Sequence, residues 1–206
     1  MVDYFGVLTT SLDDVARAWI VADNLDPVKC ADYFGRLAHR STHEVDGPIH
    51  GLEIGTWTAT EFEVAIAAEM VAEGFEIEAE GLLHRMFGGF AVVPEMIELV
   101  AKVRAAGVPT VLVTNSFGVE YPREDWPRLF DATVISHEVG LRKPDRKIYQ
   151  LALDRLGVEA AATVIVDDMK DNIDAAQALG LTGVLHVDPV TTAIALEDLL
   201  GINLSR

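Results

Sequence analysis

Met1-Val2-Asp3-Tyr4-Phe5-Gly6-Val7-Leu8 is the stretch on which the reading of the whole chain turns. A carboxylate stands at the end of a short apolar strand. A glycine comes three residues later, and an apolar pair then leads into the polar turn Thr9-Thr10-Ser11. In an open parallel sheet, the carboxyl ends of the strands form the edge where ligands bind. Asp3 in that place is a candidate functional group. Taken alone, it reads equally well as an aspartate in a surface turn. The residues that close the other strands decide between the two.

Beyond this stretch the pattern is first helical and then alternating. Ser11 is a candidate N-cap for a helix to Asp23, with Leu12, Val15, Ala16, Trp19 and Ile20 on one apolar face. Pro27 suits the first position of a second helix to about His39. Arg40 to Thr58, with Gly47, Pro48, Gly51 and Gly55, reads as loop. Thr60 and Glu63 form a capping-box pattern for a third helix to Glu73, and a fourth helix is predicted from about Glu78 to Met86. No strand pattern occurs between residues 11 and 90. From Pro94 onward helices alternate with apolar runs. Helices are predicted at Pro94–Ala106, Asp145–Leu156, Asp171–Leu179 and Thr191–Leu200. Strands are predicted at Val108–Val113, Ala132–Ser136, Thr163–Val166 and Gly183–Val187. This alternation implies an α/β fold with a parallel sheet. The simplest architecture is a core of residues 1–12 and 92–206 with an all-helical domain, 13–91, inserted after the first strand.

The 206 residues carry 16 Lys+Arg against 33 Asp+Glu, a net charge of −17. That balance argues against nucleic acid or an anionic membrane as the main partner. No apolar run approaches the length of a membrane span, no signal-peptide pattern is present, and Cys30 is the only cysteine. A cytoplasmic protein, monomer or homodimer, is the expectation.

Polar residues close the later strands as Asp3 closes the first. Thr114-Asn115-Ser116 comes after Val111-Leu112-Val113, and Asp167-Asp168 after Val164-Ile165-Val166, with Asn172 just beyond. Leu141-Arg142-Lys143-Pro144-Asp145 opens a helix. Parallel strands share a direction, so these groups fall on one sheet edge. Asp3, Asp167 and Asp168 together call for a cation, and hard oxygen donors suggest Mg²⁺. A phosphate could bridge that metal, the Thr114 hydroxyl, backbone N–H groups and the Lys143 ammonium. Asp3 could then attack phosphorus and form an aspartyl-phosphate.

With these motifs in this order, the sequence resembles the haloacid dehalogenase-like hydrolase superfamily, with its Rossmann-like core and small helical cap. The residues that carry the resemblance are Asp3-Tyr4-Phe5-Gly6-Val7-Leu8, Val113-Thr114-Asn115-Ser116, Arg142-Lys143-Pro144-Asp145 with Ile148-Tyr149, and Val166-Asp167-Asp168 with Asn172. The resemblance implies that Asp3 is the nucleophile and that Thr114, Asn115 and Lys143 bind the phosphoryl group. It implies further that Asp3, the Phe5 backbone carbonyl, Asp167 and Asp168 hold Mg²⁺, and that a small phosphorylated metabolite is the substrate. The superfamily's phosphatases usually place a second Asp two residues after the nucleophile, where it protonates the leaving group. Here that position is Phe5, and losing a general acid–base group typically costs about 10²–10⁴-fold in rate. Phe5 opens two alternatives. One is a metal-independent 2-haloacid dehalogenase, against which Asp167-Asp168 argues. The other is a weak or inactive relative that binds a ligand or partner.

Other features have plainer readings. Ser116 has no histidine in a recognisable hydrolase motif and is assigned no catalytic role. His39, His43 and His50 lack the spacing and the cysteine partners of a zinc site, and suit a loop facing substrate or solvent. Trp19, Trp57 and Phe62 either line a pocket or pack the inserted helices.

Overall fold

The computed structural model describes residues 1–43, 47–118 and 120–204, with the side chains at 38, 39 and 41–43 not described. The predicted histidines His39 and His43 therefore lie outside the described side chains. Among the described residues helices come first: α1 (Leu12–Ala22), α2 (Pro27–His43), α3 (Pro48–Glu53), α4 (Ala59–Ala72) and α5 (Leu82–Phe87). Next come α6 (Pro94–Ala105), β1 (Val111–Thr114), α7 (Trp126–Leu129), β2 (Ala132–Ile135), α8 (Ser136–Val139) and α9 (Arg146–Leu156). The chain closes with β3 (Val164–Asp167), α10 (Lys170–Ala178), β4 (Thr182–Leu185) and α11 (Pro189–Leu200).

The strands are parallel, β1 with β2 and β3 with β4. Val2 joins the two pairs, bridging Leu112 on one side and Val166 on the other. Its N–H donates to the Val111 carbonyl at 3.0 Å, and the Asp3 N–H donates to the Val166 carbonyl at 3.0 Å. The first ribbon is short but sits at the centre of the order β2-β1-Val2-β3-β4, with hydrogen bonds on both flanks. Side chains alternate between two covered faces. Leu112 and Val166 join Val2, Met96, Leu99 and Leu196 in one cluster, while Val111, Val113 and Ile165 join Ile148, Tyr149 and Ile173 in the other. Helices α1–α5 pack round a third cluster that includes Trp19, Tyr33, Phe62, Ile66 and Met70. Phe62 therefore packs these helices, while Trp19 both packs there and lines a cavity.

Three sequence expectations are corrected here. The stretch 40–58 is not all loop: α2 continues to His43, and α3 forms with Gly47 as N-cap and Pro48 at its start. Gly51 lies inside α3 because a Cβ there would come within 2.1 Å of the Trp57 ring, so this glycine serves packing rather than a turn. The capping box of α4 is Thr58 with Glu61, not Thr60 with Glu63. The turn before it is closed by Thr56 and Trp57 N–H groups on the Gly51 carbonyl, which leaves Thr58 as the last extended residue. Glu63 instead accepts the Leu83 N–H at 3.0 Å, serving the first turn of α5. That helix begins at Leu82 rather than Glu78, after Gly81 in the left-handed conformation. Among the described residues, no helix is long and apolar enough to cross a membrane.

Candidate active site

The shared strand direction brings Asp3, Thr114 and Asp167 to one edge, at the carboxyl ends of Val2, β1 and β3. Lys143 reaches them from the loop before α9. Its ammonium lies 2.8 Å from Asp3 Oδ2 and 2.6 Å from Asp167 Oδ2, and its side chain is 1% exposed. Burial alone would pull the lysine toward neutrality. The carboxylates of Asp167 and Asp3 more than reverse that, so the ammonium is held charged. Asn115 fixes the loop from both sides: its Oδ1 accepts the Lys143 N–H at 2.8 Å, and its Nδ2 donates to the Lys143 carbonyl at 3.1 Å. The Lys143-Pro144 peptide bond is cis.

Asp167 is fully enclosed. Besides Lys143, it accepts the Asn172 Nδ2 at 2.9 Å and the Met169 N–H at 2.9 Å, both on Oδ1. The Tyr149 hydroxyl donates to the Asn172 carbonyl at 3.0 Å, which ties α9 to the start of α10. Asp3 Oδ1 accepts the Tyr4 N–H at 2.7 Å. Burial pushes Asp3 up to about 7, with Lys143 pulling it back and Asp167 adding to the rise. Asp168 is also raised, by burial first and then by Asp167.

One oxygen from each of Asp3, Asp167 and Asp168 lies within 4.8 Å of the others. Three carboxylates against one ammonium leave the edge short of positive charge. An all-oxygen donor set of this kind fits a hard divalent cation. Gly6 makes room for the third carboxylate. Its φ is +75°, and a Cβ there would stand 2.1 Å from Asp168 Oδ2.

Thr114 shares the edge and is fully buried, but its hydroxyl bonds the Asn115 carbonyl at 3.3 Å rather than the carboxylates. Ser116 is structural: its N–H donates to Ser136 Oγ at 2.7 Å, and its own Oγ accepts the Gly118 N–H at 3.2 Å. The Phe5 ring is buried among aromatic rings, with centroids 4.4 Å from Phe90, 5.2 Å from Phe117 and 5.6 Å from Tyr121. Phe117 in turn stacks on Phe87 at 4.4 Å. The position that lacks a second acid is thus part of an aromatic wall running from the core into the inserted helices.

Sequence reading missed Glu53. It ends α3, is 5% exposed, and lines a cavity of about 890 Å³ between helices α1–α5 and the strand edge. Arg142 Nε lies 2.8 Å from Glu53 Oε2, an ion-pair distance without hydrogen-bond alignment, so that oxygen has no hydrogen-bond partner. The Arg142 Nε–H is directed to the Lys143 carbonyl at 3.2 Å. Burial pushes Glu53 up to about 7, and Arg142 and the Asn115 side chain pull it back. Arg142 also lies 3.3 Å from His50 Nδ1, which places His50 on the same cavity wall.

Known proteins resemble this chain in sequence and in fold. A family model described as haloacid dehalogenase-like hydrolase matches residues 1–180. The sesquiterpene phosphatase astK of Aspergillus oryzae is 34% identical over 111 residues, 52% of this chain and 56% of that protein. The chain spans less than two thirds of the length of curated relatives that it matches. A HAD family enzyme of Bacteroides thetaiotaomicron, solved with magnesium and inorganic phosphate, superposes with a TM-score of 0.61 at 20% identity, covering 90% of this chain and 92% of that one. A dehalogenase structure gives a TM-score of 0.68 at 19% identity, covering 98% and 96%. Both superpositions speak to the fold. With the strand-edge carboxylates, the buried lysine and a family match over residues 1–180, the chain belongs to the haloacid dehalogenase-like hydrolases.

Proposed function

We propose that this hydrolase is a Mg²⁺-dependent phosphohydrolase acting on a small phosphorylated molecule through an aspartyl-phosphate on Asp3. The observation that carries the reading is the excess of negative charge at the strand edge, where three carboxylates cluster and one buried ammonium pairs with two of them. The phosphatase among the relatives supports it, and so does the magnesium and phosphate bound by the Bacteroides enzyme.

In this reading Asp3, Asp167, Asp168 and the Phe5 carbonyl hold the metal, and residues 13–91 act as the cap over a core of 1–12 and 92–206. When bound, Mg²⁺ neutralises charge on the transferring phosphoryl group and keeps Asp3 ionised. A carboxylate oxygen of Asp3 attacks phosphorus as the bond to the leaving oxygen breaks. Lys143 balances the negative charge on the phosphoryl oxygens, with Thr114 and Asn115 completing the phosphate site. Water then cleaves the acyl phosphate and frees Asp3. Phe5 delivers no proton to the leaving oxygen. Glu53, a buried carboxyl lining the same cavity as Asn115 and Lys143, is assigned that task.

Three outcomes test this mechanism. The wild-type protein should hydrolyse p-nitrophenyl phosphate with Mg²⁺ and lose that activity in excess chelator; equal rates in both conditions would remove the metal from the reaction. Gly6→Ala should cost about 1–2 kcal/mol through its left-handed backbone alone. By pushing Asp168 aside it should also weaken Mg²⁺ binding by about 10-fold or more, read by calorimetry and chemical denaturation. Glu53→Gln should slow hydrolysis of an alkyl phosphate by roughly 10²-fold or more. It should change p-nitrophenyl phosphate turnover far less, because nitrophenolate leaves without a proton. Equal losses on both substrates would assign Glu53 to structure instead.

A further inference from the structure

The cavity between the inserted helices and the strand edge has two chemically different ends. At the core end stand Asn115, Lys143 and Asn172, the residues that border the carboxylate site. Glu53, His50 and Arg142 also line the cavity, with Asp13 and Arg17 on α1, but most of its surface is hydrocarbon, from Ala16 and Trp19 of α1, Phe34 and Leu37 of α2, and Met86 and Phe87 of α5. Phe87 stacks on Phe117, and both line the cavity; behind the wall Phe117 packs on the buried Phe5 ring, two residues after Asp3. The volume of about 890 Å³ lies within the range of small-molecule sites, roughly 300–1,000 Å³.

We infer that this cavity receives the hydrocarbon body of an amphiphilic phosphomonoester whose phosphate lies against Lys143 and Asn115. The inference rests on the phosphohydrolase reading for its polar end and on the apolar wall for its substrate class. A sugar phosphate would bury hydroxyl groups against Trp19, Phe34, Leu37 and Met86, and each unpartnered hydroxyl would be penalised. An alkyl or terpenoid chain instead gains with each methylene it buries. Asn115 and Lys143 line the same cavity as the apolar residues, which favours one molecule spanning both.

The test uses n-alkyl phosphates from butyl to dodecyl, with glucose 6-phosphate and p-nitrophenyl phosphate alongside. The matching n-alkylphosphonates, which are not hydrolysed, serve as binding probes by calorimetry. Hydrolytic kcat/KM and phosphonate affinity should both rise by up to ~4-fold per added methylene until the cavity is full. Glucose 6-phosphate should fall at least about 100-fold below the best alkyl phosphate. Gly35, on the α2 wall of the cavity, has open space where a Cβ would stand. Gly35→Phe should therefore flatten the dependence on chain length by occupying that space. A length-independent series, better turnover of the sugar phosphate, or an unchanged slope in Gly35→Phe would each overturn the inference. Length-dependent phosphonate binding with no turnover of any phosphomonoester would keep the cavity assignment and remove the hydrolytic reading.

Discussion

Asp3→Asn is expected to reduce Mg²⁺-dependent hydrolysis of p-nitrophenyl phosphate by on the order of 10⁴-fold or more while leaving the protein folded. The loss comes from removing the nucleophile: an amide oxygen does not form the acyl phosphate, and residual rate comes only from binding and electrostatics. Retention of the fold comes from the local charges. Asn retains an oxygen that can accept the Tyr4 N–H, as Asp3 Oδ1 does at 2.7 Å. Lys143 keeps Asp167 at 2.6 Å as its counter-charge. Burial raises Asp3 to about 7, so the charged form is already unfavourable there without a metal, and a neutral amide relieves that penalty. Metal-free Asp3→Asn should then be at least as stable as wild type in urea titrations at pH 8. A variant that unfolds would show that Asp3 holds the sheet together, and one that stays active would show that it is not the nucleophile.

Lys143→Met should have the largest effect on stability. The lysine is enclosed and touches two carboxylates, so its removal leaves Asp3 and Asp167 buried side by side without their ammonium. Breaking a buried pair from one side typically costs about 3–5 kcal/mol. The deficit should depend on pH in a definite direction. The folded pKa of Asp3 is raised, so acid favours its neutral form in the fold, and protonation removes the charge that Lys143 balances. The gap between variant and wild type should therefore be widest above pH 7 and shrink toward pH 5, as measured by urea denaturation. A gap that widens in acid would contradict this charge balance. Phosphatase activity should be lost at every pH.

Much of this site is legible in the sequence because its carriers are local. Asp3, Thr114 and Asp167 each close a short apolar run, and parallel strands convert three such endings into one edge. Lys143 can be placed because the proline after it and the helix-capping Asp145 mark a loop entering a helix. The hidden features depend on partners distant in sequence. Gly47, Pro48, Gly51 and Gly55 carry turn chemistry, yet α3 forms, with the Trp57 ring against Gly51 and the Ser136 hydroxyl on the Glu53 carbonyl. Glu53 gains its character only from burial opposite Arg142. The start of α4 differs from its sequence expectation because Thr58-x-x-Glu61 and Thr60-x-x-Glu63 are overlapping copies of one capping signal. The turn anchored on the Gly51 carbonyl decides between them.

The central claim is that Asp3 becomes phosphorylated, and the most direct measurement is to look for that bond. Protein mixed with p-nitrophenyl phosphate and Mg²⁺, quenched in acid within the first turnovers and digested, should yield the N-terminal peptide carrying one phosphoryl group on Asp3. The adduct should be labile to hydroxylamine and absent from Asp3→Asn and from chelator-treated protein. Steady turnover with no phosphorylated peptide, or with the phosphoryl group on another residue, would contradict the claim.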